Sequence, residues 1–375
     1  MSTSLQDQID QYIISHQDEL IQLICTVSSI ISPTGQERTK AQWVLQKLHT
    51  MGAKEAYIDT TGNVLFPCQL KDNVKCPLYN AHIDTVFNQV PTITPQIQGN
   101  ILAAPSCGDN SSSVAGLLLL IQLIMDLSLT LPTGILFAFN VGEEGLGNLK
   151  GMRAIMNTWQ DRIAEVVAAD CTYDTFVNEA VGSRRYTVAI DAEGGHSWMH
   201  FGNENAIAIA SSMITQLYAL KVPQTPKTTY NIGTIKGGTT VNSIASHVEF
   251  TVDLRSENKQ ALDQLDQDFS AILKAATSPK RKITKTIIGE RPCSDNVAHN
   301  HLCDRITAIR SAKGLQTPFV AASTDANIPL SLGIPAISFG FCRSHGEHTV
   351  QETLELDTLL PGTLQMAHFM FHDIL

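Results

Sequence analysis

Apolar positions recur at helical spacing near the start of the chain (Ile9, Ile13, Ile14, Leu20, Ile21, Leu23, Ile24), which predicts a helix within 4–30. Ser32-Pro-Thr-Gly35 interrupts it, and a second helix is expected from Gln36 to Met51. Short apolar runs then alternate with helical stretches to about residue 178. That alternation predicts an α/β fold with a mixed, largely parallel sheet flanked by helices. The longest apolar run, Val114–Leu127, includes Gln122 and Asp126 and is too short to span a bilayer, so it is expected to be a buried helix.

The texture changes near Val181. Arg185–Asp191 alternates like a strand, Gly194-Gly-His-Ser197 turns, and 205–220 is an amphipathic helix. Thr229–Ile235 and His247–Arg255 read as strands, Lys259–Ala276 as a helix and Lys282–Gly289 as a last strand. The order β-α-β-β-α-β is that of a ferredoxin-like α+β unit. It reads as an insertion, giving two domains: 1–180 with 292–375, and 181–291.

Several apolar runs lead into residues that bind metals or move protons. Thr133–Val141 leads to Glu143-Glu144, Pro77–Ala81 to His82-Ile-Asp84, and Ile163–Ala169 to Asp170. Ile101–Ala104 leads through Pro105–Gly108 to Asp109, and Ala336–Phe341 to a loop with His345 and His348. In open α/β sheets, sites gather beyond the carboxyl ends of strands. Adjacent residues leaving a strand point different ways, so one glutamate can hold a cation while its neighbour takes a proton from water. An Asp two residues after a ligating His lies on its side of the strand and can accept its second N–H. Mixed nitrogen and carboxylate donors suit zinc, cobalt or manganese. The carboxylates outnumber the needs of one structural zinc and suit a pair of ions.

Composition narrows the function. The net charge of −10, with no basic stripe beyond Lys280-Arg281-Lys282, disfavours nucleic acid. No signal-peptide pattern and no membrane span is read at the N-terminus or elsewhere. The eight cysteines lack a C-x-x-C pair; reduced thiols in a cytoplasmic protein are expected. Cys107 and Cys171 adjoin proposed ligands and are expected to be small buried side chains.

Together His82-Ile-Asp84-Thr, Gly108-Asp109-Asn110, Gly142-Glu143-Glu144-Gly145, Asp170, Gly195-His196-Ser197 and His348-Thr-Val-Gln-Glu352 resemble the co-catalytic zinc peptidases and deacylases that include peptidase T, carboxypeptidase G and aminoacylase. The resemblance covers nearly the whole chain. It implies two divalent metal ions, zinc before cobalt or manganese. His82 and Asp170 would hold one, Glu144 and His348 the other, and Asp109 both. Glu143 would be the general base and Asp84 would orient His82. A cis peptide after Asp109 is implied as well. His345 competes with His348 as the last ligand; the Glu352 spacing favours His348.

The inserted block resembles that family's lid and dimerisation domain. In a homodimer built through it, His196 would stabilise the oxyanion in the partner's site; alternatively it is a turn histidine. Asn242 and Arg255 match substrate-contacting positions, although Arg255 can also pair with Asp253 or Glu257. Asp325 would cap a helix or border the substrate pocket. Asp at 170, with Gly195–Trp198, Gly237–Asn242 and Ser323–Asn327, looks closest to peptidase T-like sequences. An aminopeptidase acting on short peptides is therefore expected. The alternatives are a deacylase of N-acyl amino acids, similar to acetylornithine deacetylase, and a non-catalytic peptide-binding homologue.

Overall fold

A computed structural model of the chain describes residues 4–87, 92–294 and 300–375. Contacts divide it into two compact units, Met1–Glu179 with Asn296–Leu375 and Ala180–Asp295.

In the first unit the residues alternate between buried strands and covering helices. The sheet order is Tyr57–Ile58, Val64–Cys68, Ile135–Asn140, Cys76–His82, Ile163–Ala168, Ala336–Ser338, Phe176–Ala180, Phe319–Ala322. The four strands from Ile135–Asn140 to Ala336–Ser338 are parallel, and antiparallel strands extend the sheet on either side. Ile135–Asn140 is buried at every position, as a strand covered on both faces must be. The helix Ser113–Asp126 is apolar all round and therefore belongs inside. It shares one core with Phe137, Phe139, Phe339 and Phe341. A Cβ at Gly116 would lie 2.4 Å from the Phe341 ring, so glycine lets helix and ring meet. With its lead-in turn the segment Cys107–Asp126 has the length and apolarity of a membrane span, and 89% of its apolar 18-residue stretch is buried in the fold.

The long N-terminal helix is in fact two, Leu5–Ser15 and Gln17–Ser29. The break is at His16, which leaves helical dihedrals (φ −109°, ψ 17°) and stacks its ring on Tyr12 at 3.9 Å. Periodicity alone does not register such a break, because the apolar stripe continues across it.

The second unit is a four-stranded antiparallel sheet in the order Thr228–Gly237, His247–Ser256, Gly182–Asp191, Lys282–Arg291. Helices Ala206–Tyr218 and Lys259–Ala276 cover one face, each started by an asparagine cap, Asn205 and Asn258. Val188, Ile190, Val248, Phe250, Val252 and Leu254 point into that core. The order is ferredoxin-like. Thr228–Gly237 is an edge strand, largely exposed.

Candidate metal centre

Parallel strands deliver their carboxyl ends to one edge. Ile135–Asn140, Cys76–His82 and Ile163–Ala168 are such neighbours. His82 closes the second, Asp170 follows the third, and Glu143-Glu144 follow the first. The turn Cys107–Ser112 brings Asp109 to the same edge. A small antiparallel sheet (Arg343–His345, Thr353–Glu355, Ile101–Ala103, Gln96–Gln98) carries the loop with His348.

Among the described residues, ligand atoms meet in three groups: His82, Asp109, Asp170; Asp109, Glu144, His348; and His82, Glu143, Glu144. Within each group the atoms lie within 4.8 Å of one another. Asp109 belongs to two of them. Its Oδ1 is 3.0 Å from Nε2 of His82 and its Oδ2 is 3.3 Å from Nε2 of His348. That same His348 nitrogen is 3.3 Å from Glu144 Oε1. One carboxylate with an oxygen toward each of two histidines is suited to bridge two cations, and the donor set fits divalent ions. His345 is drawn away, its Nε2 lying 2.7 Å from Glu355 Oε1.

Backbone hydrogen bonds fix these side chains. Asp84 takes the N–H of Glu143 on Oδ1 at 3.0 Å and that of Glu144 on Oδ2 at 2.9 Å, and Oδ2 also accepts from Thr34 Oγ1 at 2.9 Å. Nδ1 of His82 is 3.1 Å from the main-chain oxygen of Asp84 and 3.6 Å from its carboxylate. The carbonyl of Asp84 thus orients the imidazole more closely than the carboxylate does; the carboxylate anchors the two glutamates. Glu352 does the same for the bridge. Its carboxylate accepts the N–H groups of Ser106, Gly108 and Asp109 at 2.9, 2.7 and 2.8 Å. A Cβ at Gly108 would fall 2.2 Å from Ser344 Cβ, so only glycine fits there. The Asp109–Asn110 peptide is cis.

The electrostatics point to a cation. Burial works against charge on His82, yet Asp109 and Asp84 raise its proton affinity well above the usual imidazole value. Hydrogen bonds to Asp109 and Glu144 lift His348 to about 10. Burial pushes Asp170 up to about 7, opposed by His82 and reinforced by Asp109 and Asp325. Burial disfavours the charge on Asp109 as well, but the two histidines hold it below the usual carboxylate range. Clustered buried carboxylates recruit positive charge, either protons on the histidines or divalent ions between them.

Asp325 is buried, and its Oδ2 accepts from Asn80 and Asn140 at 2.9 and 2.7 Å. The cap position of the helix Asn327–Ser331 is Ala326 rather than Asp325. His196, Asn242 and Arg255 belong to the second unit. His196 is exposed; its strand pairs it with Ser243, and Ser197 N–H donates to the carbonyl of Asn242 at 3.0 Å. Arg255 Nε donates to Asp253 Oδ2 at 2.7 Å, one of the two acidic partners expected for it. Cys107 is buried as expected and desolvation raises its thiol, whereas Cys171 is exposed. The anchoring role of Glu352 escaped sequence reasoning, which used only its spacing from His348. The polar Asn80 and Asn140 inside apolar strands were a readable signal for Asp325.

Comparison with known proteins agrees with the family read from the motifs. A peptidase dimerisation domain model, of the M20 type, matches residues 178–281, and a peptidase family M28 model matches 63–216. A Pyrococcus abyssi protein carried under the name LysW-lysine/LysW-ornithine hydrolase is 32% identical over 139 residues. That alignment spans 37% of this chain and only 37% of the relative. The fold is shared with aminopeptidase PepT from Bacillus cereus (TM-score 0.75, 20% identity, 94% of this chain and 98% of that one). It is also shared with a tripeptidase from Staphylococcus aureus (TM-score 0.80, 20% identity, 94% and 97%).

Proposed function

We propose that this chain is a metal-dependent amide hydrolase, specifically a two-zinc aminopeptidase of short peptides, with the second unit as its lid and dimerisation domain. The observation that carries the reading is Asp109 shared between two ligand groups, with Glu143 beside them. His82 and Asp170 would hold one ion and Glu144 and His348 the other; cobalt or manganese also suits these donors. Bound there, the ions would polarise the scissile carbonyl and acidify water.

The chain's own residues do the rest. Glu143 is buried, with its N–H fixed by Asp84. It takes one proton from the attacking water as the new C–O bond forms. The C–N bond then breaks, and Glu143 returns that proton to the leaving amine. His196 of a partner subunit donates to the oxyanion that develops between these steps. Asn242 and Arg255 bind the substrate, Arg255 through a carboxylate. The short carboxylate at 170 supports the aminopeptidase choice, as do the PepT and tripeptidase folds. Eight free cysteines support a reducing cytoplasmic setting.

A second reading, an N-acyl amino acid deacylase, is favoured by a Bacillus pumilus relative named N-acetyldiaminopimelate deacetylase, 25% identical over 152 residues. One experiment separates the two. The metal-loaded protein is given a tripeptide and its N-acetylated twin, and the products are weighed by mass spectrometry. Release of the N-terminal residue from the free peptide alone is expected. Acetate from the twin, with the free peptide untouched, would transfer the protein to the deacylases.

A further inference from the structure

Two asparagines interrupt the apolar strands beneath the metal ligands. Asn80 stands two residues before His82, so their side chains share a face of the strand. Asn140 pairs with His82 across the ladder. Both are buried, and their amides converge on Oδ2 of Asp325; Asn80 Nδ2 also donates to Asn140 Oδ1 at 2.8 Å. The turn that carries Asp325 has its own backbone closure, Ile328 N–H donating to the Asp325 carbonyl at 3.3 Å. Thr324 N–H donates to Asn327 Oδ1 at 2.9 Å, and Ala326 N–H to Thr324 Oγ1 at 3.2 Å.

A neutral oxygen would satisfy two amide donors, and burying a carboxylate costs far more than burying an amide. The site therefore makes use of the charge. A chain of hydrogen bonds joins this cluster to the ligands. Ala169 N–H donates to the Asn80 carbonyl at 2.7 Å, and Asn110 Nδ2 donates to the Ala169 carbonyl at 2.9 Å. Ala169 precedes Asp170 and Asn110 follows Asp109. An anion set behind a cation site in a low-dielectric interior favours the cation.

We infer that Asp325 is a positioning and charge-setting residue for the divalent ion held by His82 and Asp170, and not for the ion held by Glu144 and His348. It acts through Asn80 and Asn140, which lie two residues before His82 and directly across the ladder from it, and through its charge near Asp170. The inference rests on the two-metal reading of the site.

Asp325→Asn keeps the shape and an oxygen for both amides and removes only the charge. Metal is stripped with a chelator, zinc is returned in a calorimetric titration, and unfolding of the metal-free protein is recorded. The binding step abolished by Asp170→Asn should weaken about 10-fold or more in Asp325→Asn, while the step abolished by Glu144→Gln stays within about 2-fold. The metal-free Tm should stay level or rise, because a buried charge is gone. The double variant Asn140→Asp/Asp325→Asn returns a carboxylate to the cluster and should restore the weakened step; it decides the question if Asp325→Asn does not fold. A lower metal-free Tm with both steps unchanged would overturn the inference, leaving Asp325 a strut. Equal weakening of both steps would overturn it too, as would a double variant that regains nothing. A parent protein that takes up no zinc would instead refute the two-metal reading.

Discussion

Asp84 and Glu352 show how two carboxylates outside the ligand set hold it in place. Glu352 accepts three buried N–H groups from one turn. Each buried donor left without an acceptor costs about 1–3 kcal/mol. Glu352→Ala is therefore expected to lower stability by about 3 kcal/mol or more and to loosen Asp109, so that metal content falls along with Tm. Calorimetry with metal analysis checks both, and full metal retention in the variant would deny Glu352 its role at the bridge. Glu143→Gln should behave oppositely. It keeps its metal and its Tm while kcat drops by roughly 10²–10⁴; an unchanged turnover would point to a non-catalytic homologue. The candidate ligands were legible because each follows an apolar run and brings a residue type with metal chemistry. The anchors were not. Glu352 meets its Asp109 partner across 243 residues of chain, and Asp84 spends its carboxylate on the backbone of Glu143 and Glu144, a partner choice that no local pattern encodes.

At the level of elements, the helix His301–Ser311 is fastened to the sheet by charge as well as by packing. Glu165, on the strand Ile163–Ala168, receives Arg305 through both carboxylate oxygens at 2.8 and 3.2 Å, and its Oε2 lies 2.6 Å from Nε2 of His301. Arg305 also lies over the Phe369 ring at 4.8 Å. Burial would raise the Glu165 carboxyl, but Arg305 outweighs it and the proton affinity ends below the usual value of 4.5. A carboxyl lowered on folding adds stability above its unfolded pKa and loses it as pH falls through the folded one. Glu165→Gln should thus cost about 3 kcal/mol near neutral pH, the penalty for unpairing a buried partner. The gap to the parent should close below about pH 4.5, as unfolding midpoints against pH would show; a constant gap would mean that packing alone holds the helix. The sequence made the helix and strand visible but not this bond, since a lone Glu in Ile-Ala-Glu-Val-Val looks like an ordinary surface position. The break at His16 was hidden for a related reason: it is a change of backbone dihedrals at one residue, which the spacing of apolar positions does not report.

Over the whole molecule, the inserted unit was legible because its β-α-β-β-α-β order differs from the surrounding alternation, and its strands extend the expected ones by only a few residues. What a single chain does not display is the use of that unit. The exposed His196 has Ser243 and Asn242 beside it in the same unit, and an edge strand, Thr228–Gly237, is open to pairing. If a homodimer places His196 in the partner's active site, the site becomes a composite of two subunits, and composite sites complement. His196→Ala keeps its own Glu143; Glu143→Gln keeps its own His196. Each homodimer should be nearly inactive, but a mixed dimer holds one site with both groups. Equal mixing with free exchange makes half the dimers mixed, with one of two sites intact, so about a quarter of the parent activity should return. Mixing the two variants and assaying peptide cleavage after exchange tests this directly. No recovery, or a monomer by light scattering at assay concentration, would confine His196 to its own subunit and remove the oxyanion role from the lid.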